Sequence, residues 1–239
     1  MVKILNLTNQ TSSYGFIKKV LNRDSNFFGK NIEQDFQISF SVFSSINDFI
    51  DTCVEEFDQI VVWYSSLNTN DSIFVAFVIQ MFKEYESRIR LIDVSECRGL
   101  NGKPYYSVGC LGYGETDYIK NKGQKLNTEK VRFFEKVLCC YFERDPNSES
   151  FLMIQGRSIY ELPYSEVKEY ILSWIENYSY PSHTIGAVMG EEIDEKGWCF
   201  GDNVIYKFIL DLINEGKILL QASFHERYDI PPKIFKNPE

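Results

Sequence analysis

Hydroxyl, amide and carboxylate side chains stand where three apolar runs of the sequence end. The candidate ligand-binding residues that share this position are Thr8, Asn9, Gln10, Ser12, Trp63, Ser65, Ser66 and Asp93. Polar groups of these types beside a helix N-terminus can hold a phosphate or a sugar without any basic residue. The same residue types are also favoured in turns and as helix caps, for local backbone reasons. The pattern therefore predicts either a small-ligand site or ordinary turns, and the sequence leaves both readings open.

Catalytic and metal-binding motifs in this chain are weak. Ser65 is not part of a G-x-S-x-G turn, so a nucleophile of that kind is not supported. The six cysteines have no CxxC spacing, and the chain has only two histidines. This usage favours reduced, mostly buried thiols over a disulfide framework or a zinc site. We therefore predict no metal site, and we assign neither a catalytic residue nor a cofactor.

The elements that must position the polar residues alternate between strands and helices in the first half of the chain. Apolar and alternating patterns predict strands at 2–7, 37–42, 58–64 and 88–94. Apolar residues at helical spacing predict helices at 14–21, 46–54 and 71–85. This order is typical of an α/β fold with a doubly wound, mostly parallel, Rossmann-like sheet. Ligands bind beyond the carboxyl ends of such strands. The polar residues at the ends of the predicted strands 2–7, 58–64 and 88–94 should therefore converge there.

The second half of the first domain departs from this alternation. Residues 95–127 are rich in Gly and Tyr, which predicts an irregular excursion at the sheet edge. Helices are then predicted at 128–142 and after Pro163, where apolar residues recur at helical spacing. We place the first domain at residues 1–178, as a doubly wound α/β domain with a helical extension.

Residues 179–239 predict a small domain of their own after the break near Pro181. The pattern indicates helices at 182–190 and 202–215, followed by a strand at 217–222. Helix, helix and strand at this spacing resemble the second half of a winged helix-turn-helix. We therefore predict a winged-helix-like C-terminal domain.

The charge of the chain bears on its partners. A formal net charge of −9 repels phosphate backbones at long range. The predicted helix at 202–215 carries Asp202 and Asp211 against Lys207, whereas a DNA-reading helix normally brings Lys or Arg to phosphates. We expect the C-terminal domain to dock on a protein, with a basic partner favoured by the acidic surface. The aromatic residues predicted for that interaction surface are Trp198, Phe200 and Tyr206.

The apolar runs of the chain bear on its location. The longest, from Ile73 to Met81, is about half of the roughly 20 residues that span a bilayer. The N-terminal apolar run reaches a polar turn too soon for a signal peptide. We therefore expect a cytoplasmic protein without a membrane segment.

Three groups of residues together resemble a family of uncharacterised bacterial proteins. They are the central segment 56–64, residues 143–146 before the Leu162-Pro163 helix, and the tail segments 185–186, 200–202 and 212–218. In this order, which covers most of the chain, they are similar to the domain of unknown function 1835 followed by the C-terminal domain of unknown function 3658. The chain departs from that family at residues 8–12, where a Gly-Asp-Ser turn is usual, and at Ser65 and Ser66, where an acid or amide is usual. The resemblance implies a two-part architecture and no known activity.

The leading hypothesis is a non-enzymatic, cytoplasmic interaction or regulatory protein that binds a small ligand at the strand-end crevice. It follows from the lack of a catalytic constellation and from the acidic C-terminal domain. One alternative is an enzyme that acts on a nucleotide or sugar phosphate at the same crevice. Another is a DNA-binding regulator, which the acidic charge disfavours. The expected partners are a protein and a small ligand containing phosphate or sugar, with neither a membrane nor a nucleic acid.

Overall fold

The structure, a computed structural model, describes residues 3–9, 46–99, 102–111, 123–175, 180–221 and 233–237. Contacts divide the chain into two compact units, each with a hydrophobic core. The first consists of Met1–Asp145 with Ile154–Ile159, and the second of Pro146–Met153 with Tyr160–Glu239. Among these described residues, no helix combines the length and the apolar character that a membrane crossing requires.

The first unit is built on a mostly parallel sheet. Its elements are β1 (Ile4–Leu7), α1 (Ile46–Glu56), β2 (Gln59–Tyr64), α2 (Thr69–Met81), β3 (Ile89–Asp93), β4 (Gln124–Lys125) and α3 (Thr128–Glu143). The described strands lie in the order β1-β2-β3-β4, of which the first three are parallel and β4 is antiparallel to β3. The prediction of a mixed α/β fold with a mostly parallel sheet is confirmed. The predicted helix at 14–21 and strand at 37–42 lie outside the described residues.

Strand β2 is buried along nearly its whole length because side chains cover both of its faces. On one face, Trp63 lies in a core cluster with Ile92 and Val108. Its indole Nε1 donates a hydrogen bond of 2.8 Å to Asn6 Oδ1, so the polar atom of this buried ring is satisfied. On the other face, the ring of Tyr64 meets Phe134 of α3 edge to face, with the centroids 6.1 Å apart. The continuous apolar run of β2 is therefore that of a strand covered on both sides.

The register of the sheet brings the ends of β2 and β3 side by side. Tyr64, the last residue of β2, pairs with Asp93, the last residue of β3. Beyond β2, the chain turns at once into α2, whose N-cap is Asn68. Residues that follow the two strands are consequently neighbours in space, as expected from the sequence.

A hairpin that the sequence analysis did not predict follows α3. It consists of β5 (Ser150–Gln155) and β6 (Ser158–Pro163), joined by the two residues Gly156 and Arg157. Gly156 has a φ of 60°, a conformation that glycine adopts readily and other residues do not. A glycine at the first position of a two-residue loop matches the twist of the flanking strands. The tip of the hairpin belongs to the first unit.

The conformation of Gly156 gives a first testable prediction. An added Cβ would meet no atom within 4 Å, so strain in the backbone is the only cost of a side chain here. We expect Gly156→Ala to lower the free energy of unfolding by about 1 kcal/mol. The same change at the exposed helical Gly186, which also has open space around it, should instead raise stability by about 0.5–1 kcal/mol. Denaturant unfolding of both variants checks the opposite signs, and equal signs would contradict the argument.

Among its described residues, the second unit contains the base of the β5–β6 hairpin, three helices and a further strand pair. The elements that follow the hairpin are α4 (Tyr164–Ile175), α5 (Pro181–Glu195), α6 (Asp202–Asn214), β7 (Ile218–Gln221) and β8 (Lys233–Lys236). Strands β7 and β8 are antiparallel. Helix α5 continues past Gly190, where the sequence predicted its end, because a glycine stops a helix only when the chain around it also turns.

The core of the second unit corrects two sequence predictions. Trp198 and Phe200 are buried in it, 3% and 9% exposed, so they are not available to an interaction surface in this unit. Tyr206 is 48% exposed and keeps the predicted position on the surface. The division of the chain also falls at Asp145 rather than at the predicted boundary of residue 178, because the buried face of α4 packs in this core.

The cysteines occupy positions that differ from the expectation. All six lie in the described part of the chain, and none is in a disulfide. Cys53 and Cys97 are buried, whereas Cys110, Cys139 and Cys199 are exposed. The prediction of mostly buried thiols is therefore wrong. In α3 the buried positions belong to Phe134, Val137 and Leu138, which leaves Cys139 on the outer face of the helix.

Candidate functional site

A cleft of about 400 Å³ opens at the carboxyl edge of the sheet, within the first unit. It is lined by residues at the ends of β2 and β3, by β4, by the first two turns of α3 and by the tip of the hairpin. Its volume lies in the range of roughly 300–1,000 Å³ that is typical of small-molecule sites. Open parallel sheets bind ligands at this edge. The cleft is therefore the candidate functional site.

Asp93 organises the residues at the base of the cleft. Its Oδ1 accepts hydrogen bonds from the backbone N–H of Ser66 at 3.0 Å and of Ser95 at 3.0 Å. The same oxygen accepts from the hydroxyl of Ser95 at 2.7 Å. The Tyr64 hydroxyl is a further hydrogen-bonding partner of Asp93. We refer to Tyr64, Ser66, Asp93 and Ser95 as the cleft floor, since Asp93 holds the other three in place.

Tyr64 contributes a hydroxyl group that stays protonated. Burial raises the pKa of this hydroxyl far above its ordinary range, and the negative charges of Asp93 and Glu96 raise the pKa further. Because a carboxylate can only accept hydrogen bonds, the Tyr64 hydroxyl donates to Asp93. Tyr64 is consequently a fixed neutral group and not a base.

The position of Ser66 is set from three directions. Its N–H donates to Asp93, and its carbonyl oxygen accepts from the N–H of Gly156 at 2.8 Å. Its hydroxyl oxygen lies 2.9 Å from that of Ser95. The hairpin tip and the end of β3 thus fix Ser66, the second residue after β2. Such bonds hold a binding group in one orientation before a ligand arrives.

Charged groups surround the mouth of the cleft, and each bonds either to an opposite charge or to the amide of Gln124. Arg157 forms an ion pair with Glu129, and the Lys130 ammonium donates to the side chain of Gln124. The amide nitrogen of Gln124 lies 3.3 Å from Glu96 Oε1. We call these five residues the cleft rim. Since two cations face two carboxylates across it, the rim offers both hydrogen-bond donors and acceptors with little net charge.

One wall of the cleft is apolar. Phe133 and Phe134 of α3 line it, and their rings meet edge to face with centroids 5.2 Å apart. Phe134 is buried, whereas Phe133 is partly exposed to the cleft. A ligand could therefore place an apolar face against α3 and its polar groups on the floor and rim.

The N-terminus of α2 is already occupied by the protein's own acceptors. Asn68 Oδ1 accepts from the N–H groups of Asn70 and Asp71 at 3.0 and 3.3 Å. Asp71, only 2% exposed, accepts from Ser65 N at 3.0 Å and from Asn9 Nδ2 at 3.4 Å. Burial raises the pKa of the Asp71 carboxyl to about 6, although these two bonds oppose the rise. A phosphate at this helix end would have to displace Asn68 and Asp71.

Two of the eight residues predicted for ligand binding line the cleft, namely Ser66 and Asp93. Ser65 is buried, and its hydroxyl donates to the carbonyl oxygen of Tyr105 at 2.9 Å, away from the cleft. Trp63 is in the core, Thr8 is buried at the end of β1, and Asn9 contacts Asp71. The two remaining candidates, Gln10 and Ser12, lie outside the described residues. Adjacent serines thus have different surroundings because Ser65 still follows the alternation of β2.

Several residues that line the cleft do not stand at the end of a predicted strand. Gln124, Lys130 and Phe133 come from β4 and α3, and Arg157 from the unpredicted hairpin. The Gly156-Arg157 pair between two short apolar stretches is a hairpin signal that could have indicated Arg157. Nothing in the sequence indicates which face of α3 turns toward the strand ends.

Comparison with family models, with curated proteins and with solved structures found no match. The resemblance to the domains of unknown function 1835 and 3658 therefore stays a prediction from the sequence motifs.

Proposed function

We propose that the protein is a non-enzymatic regulatory protein that binds a small polar ligand in the cleft of its first unit. The observation that carries this proposal is the cleft floor, where Asp93 fixes Ser66 and Ser95 and hydrogen bonds link both serine hydroxyls to its carboxylate, beside an apolar wall. Groups fixed in this way lose little conformational entropy when a ligand binds. The parallel strands that end at the cleft favour a doubly wound, Rossmann-like arrangement of the unit.

The surroundings of the hydroxyl groups favour binding over catalysis. A serine nucleophile needs a base within hydrogen-bond reach. The partner of the Ser66 hydroxyl is another serine, and the Ser95 hydroxyl bonds to a carboxylate oxygen that already accepts from two backbone N–H groups. Tyr64 stays protonated because burial raises its pKa. Among the described residues that line the cleft there is no histidine. These features support a site that recognises a ligand without transforming it.

The second unit supplies the interaction part of the proposal. Helices α5 and α6 followed by the antiparallel pair β7 and β8 have the order of a winged-helix-like domain. Asp202 and Asp211 on α6 disfavour a nucleic acid as the partner. Tyr206 and Leu210, 48% and 42% exposed, lie one turn apart on the outer face of α6. We propose a basic, cytoplasmic protein as the partner of this unit.

A second candidate function is an enzyme that acts on a nucleotide or a sugar phosphate. Its support is the presence of Lys130 and Arg157 on the cleft rim, since both residue types bind phosphate. The pairing of Arg157 with Glu129 weakens this support. Release of product from such a ligand by the purified protein would favour the enzyme over the regulatory protein.

Thermal unfolding with a ligand panel tests the proposed function. The panel consists of sugars, nucleosides, their phosphates, polyamines and divalent ions. A ligand present at a hundred times its dissociation constant adds roughly 2.7 kcal/mol to the stability of the folded state. We expect at least one neutral or weakly charged polar compound to raise the unfolding temperature. No shift across the whole panel would contradict a small-ligand site.

Two adjacent serines provide matched variants for this test. Ser66→Ala removes a hydroxyl group from the cleft floor, whereas Ser65→Ala removes one that bonds to Tyr105 outside the cleft. We expect the ligand-induced shift to be lost or much reduced in Ser66→Ala and kept in Ser65→Ala. Each shift is measured against the ligand-free unfolding temperature of the same variant. The reverse result would place the ligand elsewhere.

A further inference from the structure

We propose that the cleft selects a neutral sugar ring with adjacent free hydroxyl groups, either a monosaccharide or the ribose of a nucleoside, rather than a phosphate. This inference rests on the proposed function, because it names the class of ligand for the same cleft. It follows from the direction of the hydrogen bonds in the cleft floor and from the mixed character of the cleft rim.

The hydrogen bonds of the floor run in one direction. Ser95 donates its only hydroxyl proton to Asp93 at 2.7 Å. In the 2.9 Å contact between the two serine hydroxyls, Ser66 must therefore donate and Ser95 accept. Tyr64 likewise donates its proton to Asp93. All three hydroxyl protons of the floor are directed within the protein.

A ligand consequently meets oxygen lone pairs on the floor. Each hydroxyl oxygen has two lone pairs, and only one of the six is used by these bonds, that of Ser95. The ligand group that contacts Ser66 or Tyr64 has to be a donor. The oxygens of a phosphate ester are mostly unprotonated acceptors at neutral pH and would leave those lone pairs unmatched. The floor therefore disfavours phosphate and favours O–H or N–H groups.

The rim requires both acceptors and donors from the rest of the ligand. Lys130, Arg157 and the amide of Gln124 present donors, while Glu96 and Glu129 present acceptors. An ammonium group can only donate, and a fully ionised phosphate ester can only accept. A hydroxyl group does both. A ligand rich in hydroxyl groups is thus the class that satisfies the floor and the rim together.

The apolar wall indicates that the ligand contains a ring with an apolar face. Phe133 is partly exposed beside the floor, and Phe134 lies behind it. A sugar ring has a face of C–H groups with hydroxyls at its edge, and a nucleoside adds a flat base. Either can place its apolar part on Phe133 while its hydroxyls reach the floor. A volume of about 400 Å³ leaves space for both.

The test is equilibrium binding of defined probes to the full chain by calorimetry. The neutral sugars are galactose and xylose, the nucleosides are adenosine and 2′-deoxyadenosine, and the charged probes are AMP, inorganic phosphate and spermidine. We expect binding by at least one neutral sugar or by adenosine. If adenosine binds, removal of its 2′-hydroxyl should weaken binding at least tenfold, because a site built around a hydroxyl rejects the analogue that lacks it. The two arms distinguish a free sugar from a nucleoside.

Variants link the binding to the floor. Ser66→Ala should weaken sugar or nucleoside binding at least tenfold, and Ser66→Thr, which keeps a hydroxyl, should restore most of it. Ser65→Ala should bind as the wild type does. Circular dichroism of each variant confirms its fold, and Ser95→Ala provides a second floor variant if Ser66→Ala fails to fold.

The other outcomes separate this inference from the proposed function. Tighter binding of AMP or phosphate than of adenosine and the sugars, or binding of spermidine alone, would overturn the sugar inference. In that case sensitivity to Ser66→Ala would leave the small-ligand function standing. If none of the probes binds at millimolar concentration, the sugar inference fails. The broader ligand panel then decides whether the small-ligand function fails with it.

Discussion

Replacement of Asp93 by alanine is expected to lower the free energy of unfolding by about 2–3 kcal/mol and to abolish ligand binding. One carboxylate accepts from the N–H groups of Ser66 and Ser95 and from the Ser95 hydroxyl, and it also binds the Tyr64 hydroxyl. Without it, four donors lose their acceptor in a partly buried site. Denaturant unfolding measures the first effect, and calorimetry with a panel ligand measures the second.

Glu96→Ala is the matched control for the stability effect. Glu96 is three residues away and exposed, and its contact with Gln124 is long, at 3.3 Å. Its removal should change the free energy of unfolding by less than about 0.5 kcal/mol. Asp93→Asn keeps an acceptor oxygen and should fall between the wild type and the alanine variant. A stability of Asp93→Ala within the range of the Glu96 control would show that Asp93 does not organise the floor.

The sequence predicted the elements around this site better than it predicted which side chains face the cleft. The burial of β2 on both faces could be read from its apolar run, whereas α2 begins at Thr69 behind the cap Asn68, before its predicted start at residue 71. Hairpin β5–β6 was missed because its two-residue turn, Gly156-Arg157, is a weaker hairpin signal than Asn-Gly or Asp-Gly. The boundary at residue 178 differed because helical spacing in α4 reveals a buried face but not the partner of that face.

The same lack of long-range information explains why only two of the candidate ligand-binding residues line the cleft. Ser65 and Ser66 are adjacent and identical in type, yet one bonds to Tyr105 and the other faces the cleft. Residue type cannot distinguish Ser65 from Ser66, since their surroundings depend on the face of the sheet toward which each side chain points. The strand was predicted at 88–94, whereas β3 ends at Asp93, whose carboxylate lies next to Ser66. The pairing of Asp93 with Tyr64 across the sheet is a long-range contact, which a local sequence pattern does not reveal.

Asp71 is the second residue with a large expected effect, because its carboxyl group is buried. Burial raises its pKa from an ordinary 3.8 to about 6, the negative charge of Asp93 raises it slightly, and bonds from Ser65 N and Asn9 oppose the rise. Its carboxylate fixes the backbone of Ser65, directly before the floor residue Ser66. The protonation of Asp71 is thereby coupled to folding of the segment that carries the site.

The sign of this coupling follows from proton binding. Below pH 3.8 both states hold the proton, and between 3.8 and about 6 the folded state holds more of it than the unfolded state does. The free energy of unfolding therefore falls as the pH rises through this window. A shift of about two pKa units corresponds to a loss of about 3 kcal/mol. Asp71→Asn, which does not titrate, should lack this loss.

The measurement is the difference in unfolding free energy between the wild type and Asp71→Asn from pH 4 to pH 7.5. We expect this difference to move against the wild type by about 2.5 kcal/mol over this range and to level off above pH 7. Asp51→Asn, on the exposed side of α1, controls for the loss of a carboxylate that stays in water. A difference that is flat with pH, or that favours the wild type at high pH, would mean that the folded state stabilises the charged carboxylate. The N–H of Ser65 would then outweigh burial at this position.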